Sequence, residues 1–265
     1  MSDVSIRLQG VELNYTIYSS RAQSLRHVAM DMAVGGRLFK GSGDMVVVRA
    51  IDQLSFELNQ GDRLGIMGHN GSGKTTLLKI MAGVFDPNRG HIEVRGKISS
   101  MIDIGHGADH EANAIDNVKM LAALRQVPNK QIPSLIEEVL EFSDLGAFAY
   151  LPIKTYSAGM VMRLLFAVST SLEPDILLLD EWIGAGDAGF VEKASKRMND
   201  MVHSAKIVVL ASHAESLIRS VSNKLLVLDK GRATYFGDCA AYFAERDANA
   251  GTAPAPVHTN SPERV

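Results

Sequence analysis

Residues Gly68-His69-Asn70-Gly71-Ser72-Gly73-Lys74-Thr75-Thr76 match the pattern G-x-x-x-x-G-K-[ST] at every fixed position. The flanks suit it. Arg63-Leu64-Gly65-Ile66-Met67 reads as a short apolar strand, and Lys74 to Gly83, apolar at Leu77, Leu78, Ile80 and Met81, reads as a helix. Strand, glycine loop and helix start make an anion site. The glycines let backbone N–H groups close round phosphate oxygens, and the helix N-terminus adds partial positive charge. In such a loop Lys74 reaches the β- and γ-phosphates of a nucleoside triphosphate, and the Thr75 hydroxyl holds Mg²⁺. The plain alternative is a glycine-rich turn that happens to carry a lysine; the strand and helix around it argue against that.

Four further segments narrow the reading. Ile176-Leu177-Leu178-Leu179-Asp180-Glu181 is an apolar run ending in two acids, the pattern of a buried parallel strand with carboxylates at its C-terminal tip. Ligands bind at that tip in open α/β sheets, so Asp180 would hold Mg²⁺ and Glu181 would polarise the attacking water. Tyr156-Ser157-Ala158-Gly159-Met160 opens a helix whose apolar face is Val161, Leu164, Leu165, Val168 and Leu172. Ser157 suits a simple N-cap, and only its place before the acidic strand suggests more. Lys206-Ile207-Val208-Val209-Leu210-Ala211-Ser212-His213 is an apolar strand ending in a histidine. A lone histidine there is usually structural, but this one falls at the same edge as the acids, where a γ-phosphate contact is open to it. Gly186-Asp187 is a turn carrying one acid.

In this order the segments resemble the ATP-binding cassette of ABC transporters: phosphate loop (68–76), signature (156–160), acidic strand (176–181), Asp loop (184–187) and switch histidine (213). The resemblance spans roughly residues 1–245. It implies an α/β fold of the P-loop NTPase type, with a parallel-sheet core, an N-terminal antiparallel β layer and a helical subdomain. It also implies ATP as substrate, Mg²⁺ as cofactor and two cassettes that sandwich two nucleotides. Lys74, Thr75, Asp180, Glu181 and His213 would act in cis, while Ser157, Ala158 and Gly159 would reach the γ-phosphate of the partner copy, and Asp187 would lie at the dimer seam. Tyr15 falls where the family places an aromatic that stacks on the base, with Tyr18 a second candidate; a strand tyrosine packed on the core is the alternative.

The departures from the family pattern are specific. Tyr156, Ala158 and Met160 replace the Leu, first Gly and Gln of the usual signature, and Trp182-Ile183 replaces the Pro-Thr after the acidic strand. The usual Q-loop glutamine is not evident in Ser99 to Gly107, where Asp103 or a neighbour is a candidate for part of its role and no single residue is assigned. Tyr-Ser-x-Gly-Met, with the long N-terminal insertion, resembles the exporters of polysaccharides such as O-antigen, capsule, teichoic acid and galactan. That branch implies a membrane-spanning permease as partner, a lipid-linked glycan met only indirectly, and a position at the cytoplasmic face of the inner membrane. A regulatory ATPase that moves nothing, or a cassette serving another substrate, is the rival reading.

Composition sets bounds. The 265 residues are 46% hydrophobic, enough for a real core. Net charge is −3, from 27 basic and 30 acidic residues, which leaves no footprint for nucleic acid. The one cysteine, Cys239, cannot form an intramolecular disulfide. No signal peptide is expected from Met1-Ser2-Asp3-Val4, and no run approaches the ~18 apolar residues that span a bilayer, so any membrane pathway belongs to a partner.

Residues 1–248 read as one nucleotide-binding domain. Short strands are expected at 4–18 and 45–60, where Val4, Ile6 and Leu8 alternate and Val46-Val47-Val48 is β-branched. Between them, 20–44 reads as an inserted helix with Leu25, Val28, Ala29 and Met32 on one face, closed by a Gly41-Ser42-Gly43 hinge. A surface helix covering a sheet edge and a helix touching the permease or lipid headgroups both fit it. About 105–172 reads as the helical subdomain, with Pro128, Pro133 and Pro152 as punctuation. Strands and helices then alternate: 176–180, 188–203, 206–211, 214–221 and 223–229. The Pro-rich stretch 249–265 reads as a disordered tail, with no carbohydrate-binding module expected.

Overall fold

Side-chain parity along the strands builds this molecule. The computed structural model describes residues 3–18, 38–40, 45–102, 107–181 and 188–250. In β1 (Ser5–Tyr18) Ile6 and Leu8 are buried while Arg7 between them is exposed. That strand pairs antiparallel with β3 (Met45–Asn59) on one side and β5 (Arg89–Arg95) on the other. A short β2 (Leu38–Lys40) pairs with Val46–Val48 of β3, completing a four-stranded sheet in the order β2-β3-β1-β5.

The second sheet has six strands in the order β10-β9-β4-β8-β7-β6. Here β4 (Arg63–Met67), β6 (Ile98–Ser100), β7 (Ile176–Asp180), β8 (Ile207–Ala211) and β9 (Lys224–Asp229) run parallel, and β10 (Arg232–Asp238) returns antiparallel at one edge. The parallel strands are near-continuous apolar runs because both of their faces are covered. Alternate residues enter different cores. Ile176 and Leu178 of β7 join the cluster between the two sheets, with Leu77 and Leu78 of α1 (Lys74–Met81). Leu177 and Leu179 face the opposite cluster, with the helices. By the same parity Asp180 leaves β7 on the α1 side.

The helical layer holds α2 (Ala114–Leu124), α3 (Ile132–Ser143) and α4 (Ala158–Thr170). Asn113 caps α2 by accepting from the Asp116 N–H, and Pro133 sits in the first turn of α3. Fully buried Asn117 donates to the carbonyls of Asp109, Ala112 and Asn113 and accepts from the Asp109 N–H, which fixes the entry to α2. Next in the chain come α5 (Ala188–Ser204), α6 (Glu215–Val221) and α7 (Cys239–Ala250). Arg197 of α5 pairs with Glu138 of α3 and lies over the Phe142 ring, tying α5 to the helical layer.

The expected α/β order is present. Two strands foreseen as short are 14 and 15 residues long, because β1 and β3 stay paired from Ser5 and Asn59 to Tyr18 and Met45. Residues 38–40, expected within a helix and hinge, form a strand, since Leu38 and Phe39 meet the β-branched edge of β3. The proposed helical face at Leu25–Met32 and the hinge at 41–43 lie outside the described residues. Asn249 and Ala250, expected in a disordered tail, are helical because α7 continues to Ala250; 251–265 lie outside the described residues.

Asp175 stitches three strand starts. Its carboxylate accepts from the Lys97 N–H at 2.9 Å and pairs with Lys206 at 2.7 Å, and its carbonyl accepts the N–H groups of Lys206 and Ile207. The Lys206 ammonium, helped by the Lys97 N–H, holds this carboxyl below the usual carboxylate range. A depressed pKa contributes stability above the unfolded value near 3.9, and that contribution is lost as pH falls through the folded value. Asp175→Asn should therefore lower stability by about 1–2 kcal/mol at neutral pH. In urea titrations the gap to wild type should close below about pH 4.

Candidate functional site

Strand β4 lies between β8 and β9, so the loop after it opens at the same edge as the ends of β7 and β8. Sterics shape the loop. At Gly68 a Cβ would lie 2.3 Å from the Leu228 carbonyl oxygen. At Gly73, left-handed at φ 109°, it would lie 2.7 Å from the Ala50 carbonyl oxygen. Hydrogen bonds hold the shape: the Ser72 N–H donates to the His69 carbonyl at 3.0 Å, and the Gly231 N–H in the β9–β10 turn donates to the Ser72 carbonyl at 2.9 Å. The loop delivers the chain into α1, whose first residue is Lys74.

Lys74 is buried, and its ammonium donates to the carbonyls of Gly68 at 2.7 Å and His69 at 3.3 Å. Burial pushes the ammonium below its ordinary pKa, while Asp180 and Glu181 work in the opposite direction. The same nitrogen stands 3.3 Å from His213 Nε2. A lysine ammonium only donates, so in this contact Nε2 is the acceptor. Glu181 Oε1 lies 3.6 Å from that Nε2. Lysine, histidine and glutamate thus arrive from α1, the end of β8 and the end of β7.

Glu181 carries backbone strain. Its φ is 64°, a left-handed conformation that a side chain disfavours, and its N–H donates to the Ala211 carbonyl at 2.8 Å. The side chain is 65% exposed, so nothing in the core demands the twist.

These groups line a cavity of about 500 Å³. The loop from Asn70 to Thr76 lines it with Asp180, Glu181 and His213, and so do Tyr15, Val48 and Ala50. Five separated stretches of sequence meet there. Thr75 and Asp180 bring a hydroxyl and a carboxylate, hard oxygen donors of the kind that suits Mg²⁺ alongside nucleotide phosphates. No group of three or more His, Cys, Asp or Glu side chains among the described residues could hold a metal by itself.

Several expected site residues stand elsewhere. Gly68 and His69 do not line the cavity; His69 turns away to Asp229, with Nε2 2.9 Å from Oδ1. Ser157, Ala158 and Gly159 are also absent from its lining. Ser157 caps α4, accepting from the Met160 N–H at 3.3 Å, and Ala158 and Gly159 are exposed in the first turn. Asp187 and Asp103 lie outside the described residues, and so does the Tyr18 side chain. Val48 and Ala50 went unforeseen as lining residues. The β-branched run marked a strand, but nothing in it marked which side faces a ligand.

The fold and the cavity define a P-loop nucleoside triphosphatase. A model of the ABC transporter family matches residues 51–184. The O-antigen export system ATP-binding protein RfbE of Yersinia enterocolitica is 43% identical over 227 residues, which are 86% of this chain and 95% of that protein. The teichoic acids export ATP-binding protein TagH of Bacillus cereus is 32% identical over 234 residues, 88% of this chain, although the chain spans only 41% of that longer protein. A dimeric ATP-binding cassette solved in a post-hydrolysis state with ADP and Pi superposes with a TM-score of 0.63 at 19% identity, covering 88% of this chain and 98% of that one. The chain belongs to the ABC transporter family and is one of its ATPase cassettes. Among the described residues, no helix is long and apolar enough to cross a membrane.

The strain at Glu181 has a thermodynamic signature. Glu181→Gly should unfold with a free energy about 1 kcal/mol higher than Glu181→Ala, because only glycine relaxes at this φ. Both variants should lose turnover. Equal stability of the two in thermal melts would show that the twist costs nothing.

Proposed function

We propose that this chain is the ATP-hydrolysing subunit of a system that exports a lipid-linked cell-surface polysaccharide, an O-antigen or similar glycan. It works at the cytoplasmic face of the inner membrane, beside a separate membrane-spanning permease and a second copy of itself. The observation that carries this is the 43% identity along 95% of an O-antigen export protein, over a chain that retains the full lysine, acid and histidine set. The teichoic acid export relatives keep the cargo class at surface polymers rather than one glycan.

The mechanism follows from what each side chain can do. The loop amides and Lys74 receive the β- and γ-phosphates. In exchange Lys74 gives up the carbonyls of Gly68 and His69, which offset its burial while no anion is near. Thr75 and Asp180 would hold Mg²⁺, which neutralises charge on the phosphates when bound. Glu181, exposed and aimed into the cavity, orients the attacking water for in-line displacement. His213, poised between Lys74 and Glu181, holds the γ-phosphate once Lys74 has turned to it. A loose transition state asks for positioning and charge more than for covalent help.

The signature residues do not line their own chain's cavity, which supports a role for them at the cavity of a partner copy. Ser157 and Gly159 sit at an exposed helix N-terminus, a surface fit to meet a γ-phosphate. Asp187 would lie at the seam where the copies meet. Residues 1–248 act as one cassette, with about 105–172 as the helical part that carries the signature.

Two outcomes test this directly. Lys74→Ala should weaken ATP binding about 10- to 100-fold, as expected for losing a charged phosphate contact, measured by calorimetry. Glu181→Gln should form a stable dimer in Mg-free ATP that light scattering detects. A monomer under those conditions defeats the shared-site mechanism. Absence of phosphate release by the wild-type chain with its permease defeats the function.

A further inference from the structure

Tyr15 and the phosphate loop come from different sheets, yet both line one ligand cavity. The segment that follows α1 joins them. Gly83, left-handed at φ 72°, follows the end of the helix. The N–H groups of Val84 and Phe85 fold back on the Lys79 carbonyl at 2.9 and 3.4 Å. That turn brings Phe85 against Tyr15 in a T-shaped contact, with centroids 5.8 Å apart and an interplanar angle of 80°. Phe85 itself packs on the core between the sheets.

Three residues further on, Asn88 grips β1 twice. Its N–H donates to the Glu12 carbonyl at 2.8 Å, and its Oδ1 accepts from the Asn14 N–H at 2.5 Å. It does so where the strand's own ladder slips. Register with β3 shifts between Leu8 and Asn14, and register with β5 shifts between Gln9 and Glu12. A bulged strand leaves backbone groups in need of partners, and here a side chain from the segment after α1 supplies one. At the other end of the helix, the Tyr15 hydroxyl meets Thr76 Oγ1 at 3.3 Å. Helix α1 and the segment after it therefore hold Tyr15 together: Thr76 at the hydroxyl, Phe85 at the ring, Asn88 at the backbone beside it.

We infer that segment 83–88 is a positioning clamp for the base platform: Phe85 sets the tilt of the Tyr15 ring and Asn88 sets the strand beneath it. The segment governs recognition of the nucleoside and leaves recognition of the phosphates alone. This rests on Tyr15 being the residue on which the base stacks. Phe85 and Asn88 touch no nucleotide themselves; they act through Tyr15.

The test compares two ligands on the full chain, Mg-ATP and inorganic tripolyphosphate, by calorimetry. Phe85→Leu should raise the Kd for ATP about three- to tenfold, the worth of a lost aromatic edge contact, and leave the Kd for tripolyphosphate unchanged. Phe85→Tyr should restore wild-type ATP binding. Asn88→Ala should shift ATP binding in the same sense as Phe85→Leu and serves in its place if that variant fails to fold. Tyr15→Ala should weaken ATP at least as much, and adding Phe85→Leu to it should change nothing more. Unchanged ATP binding by Phe85→Leu, equal loss for both ligands, or additive loss in the Tyr15→Ala background overturns the clamp. Normal ATP binding by Tyr15→Ala overturns the stacking assignment, and the clamp with it.

Discussion

The single hydrogen bond from the Gly231 N–H to the Ser72 carbonyl, 2.9 Å long, fixes the back of the phosphate loop against the β9–β10 turn. The cavity depends on that wall. Only a glycine fits at position 73, where a Cβ would lie 2.7 Å from the Ala50 carbonyl oxygen of β3, and the Asp52 N–H of the same strand donates to the Gly231 carbonyl at 2.9 Å. Around this point Asp52 is buried between Arg49 and Arg232. Burial by itself would raise that carboxyl, but the hydrogen bonds from Arg232 and Arg49 bring it below its ordinary value. The loop is thus braced from behind by both sheets before any anion arrives. A site built this way spends little ordering free energy on its ligand.

Strand parity does the rest of the placing. Splitting each central strand between two cores forces alternate residues to opposite sides, so Asp180 emerges beside α1 without any local device. Glu181, one residue on, cannot follow that parity and still reach the cavity on a relaxed backbone. Its positive φ is the local price of turning both acids towards one ligand.

Much of this was legible in the residues, and the reasons differ by element. The phosphate loop and the acidic strand could be read because each combines a rigid spacing with an unbroken apolar run, signals that survive any tertiary context. The helices of the signature layer followed from 3.6-residue periodicity, and their ends from Ser157 and the prolines. Strand β5 escaped notice because Arg89-Gly90-His91 is polar and only Ile92 and Val94 alternate, too short a pattern to stand alone. Helix α7 escaped because its burial rests on Cys239 and Phe243 with mixed polar residues between. The turn of His69 towards Asp229 pairs residues 160 positions apart, and no local pattern carries such a contact. Tyr15 was legible only through resemblance; its neighbours Thr76 and Phe85 lie in α1 and just after it, and pattern along β1 says nothing of them.

Ser157 caps its helix without using its hydroxyl proton. As a helix cap its oxygen accepts the Met160 N–H at 3.3 Å, and that duty uses a lone pair only. The hydroxyl proton stays available to swing outward. An arriving oxyanion can therefore be greeted by a donor without unwinding the first turn of α4, so docking and release there need not be accompanied by helix fraying. The same atom that keeps the helix wound in solitude is already dressed for company.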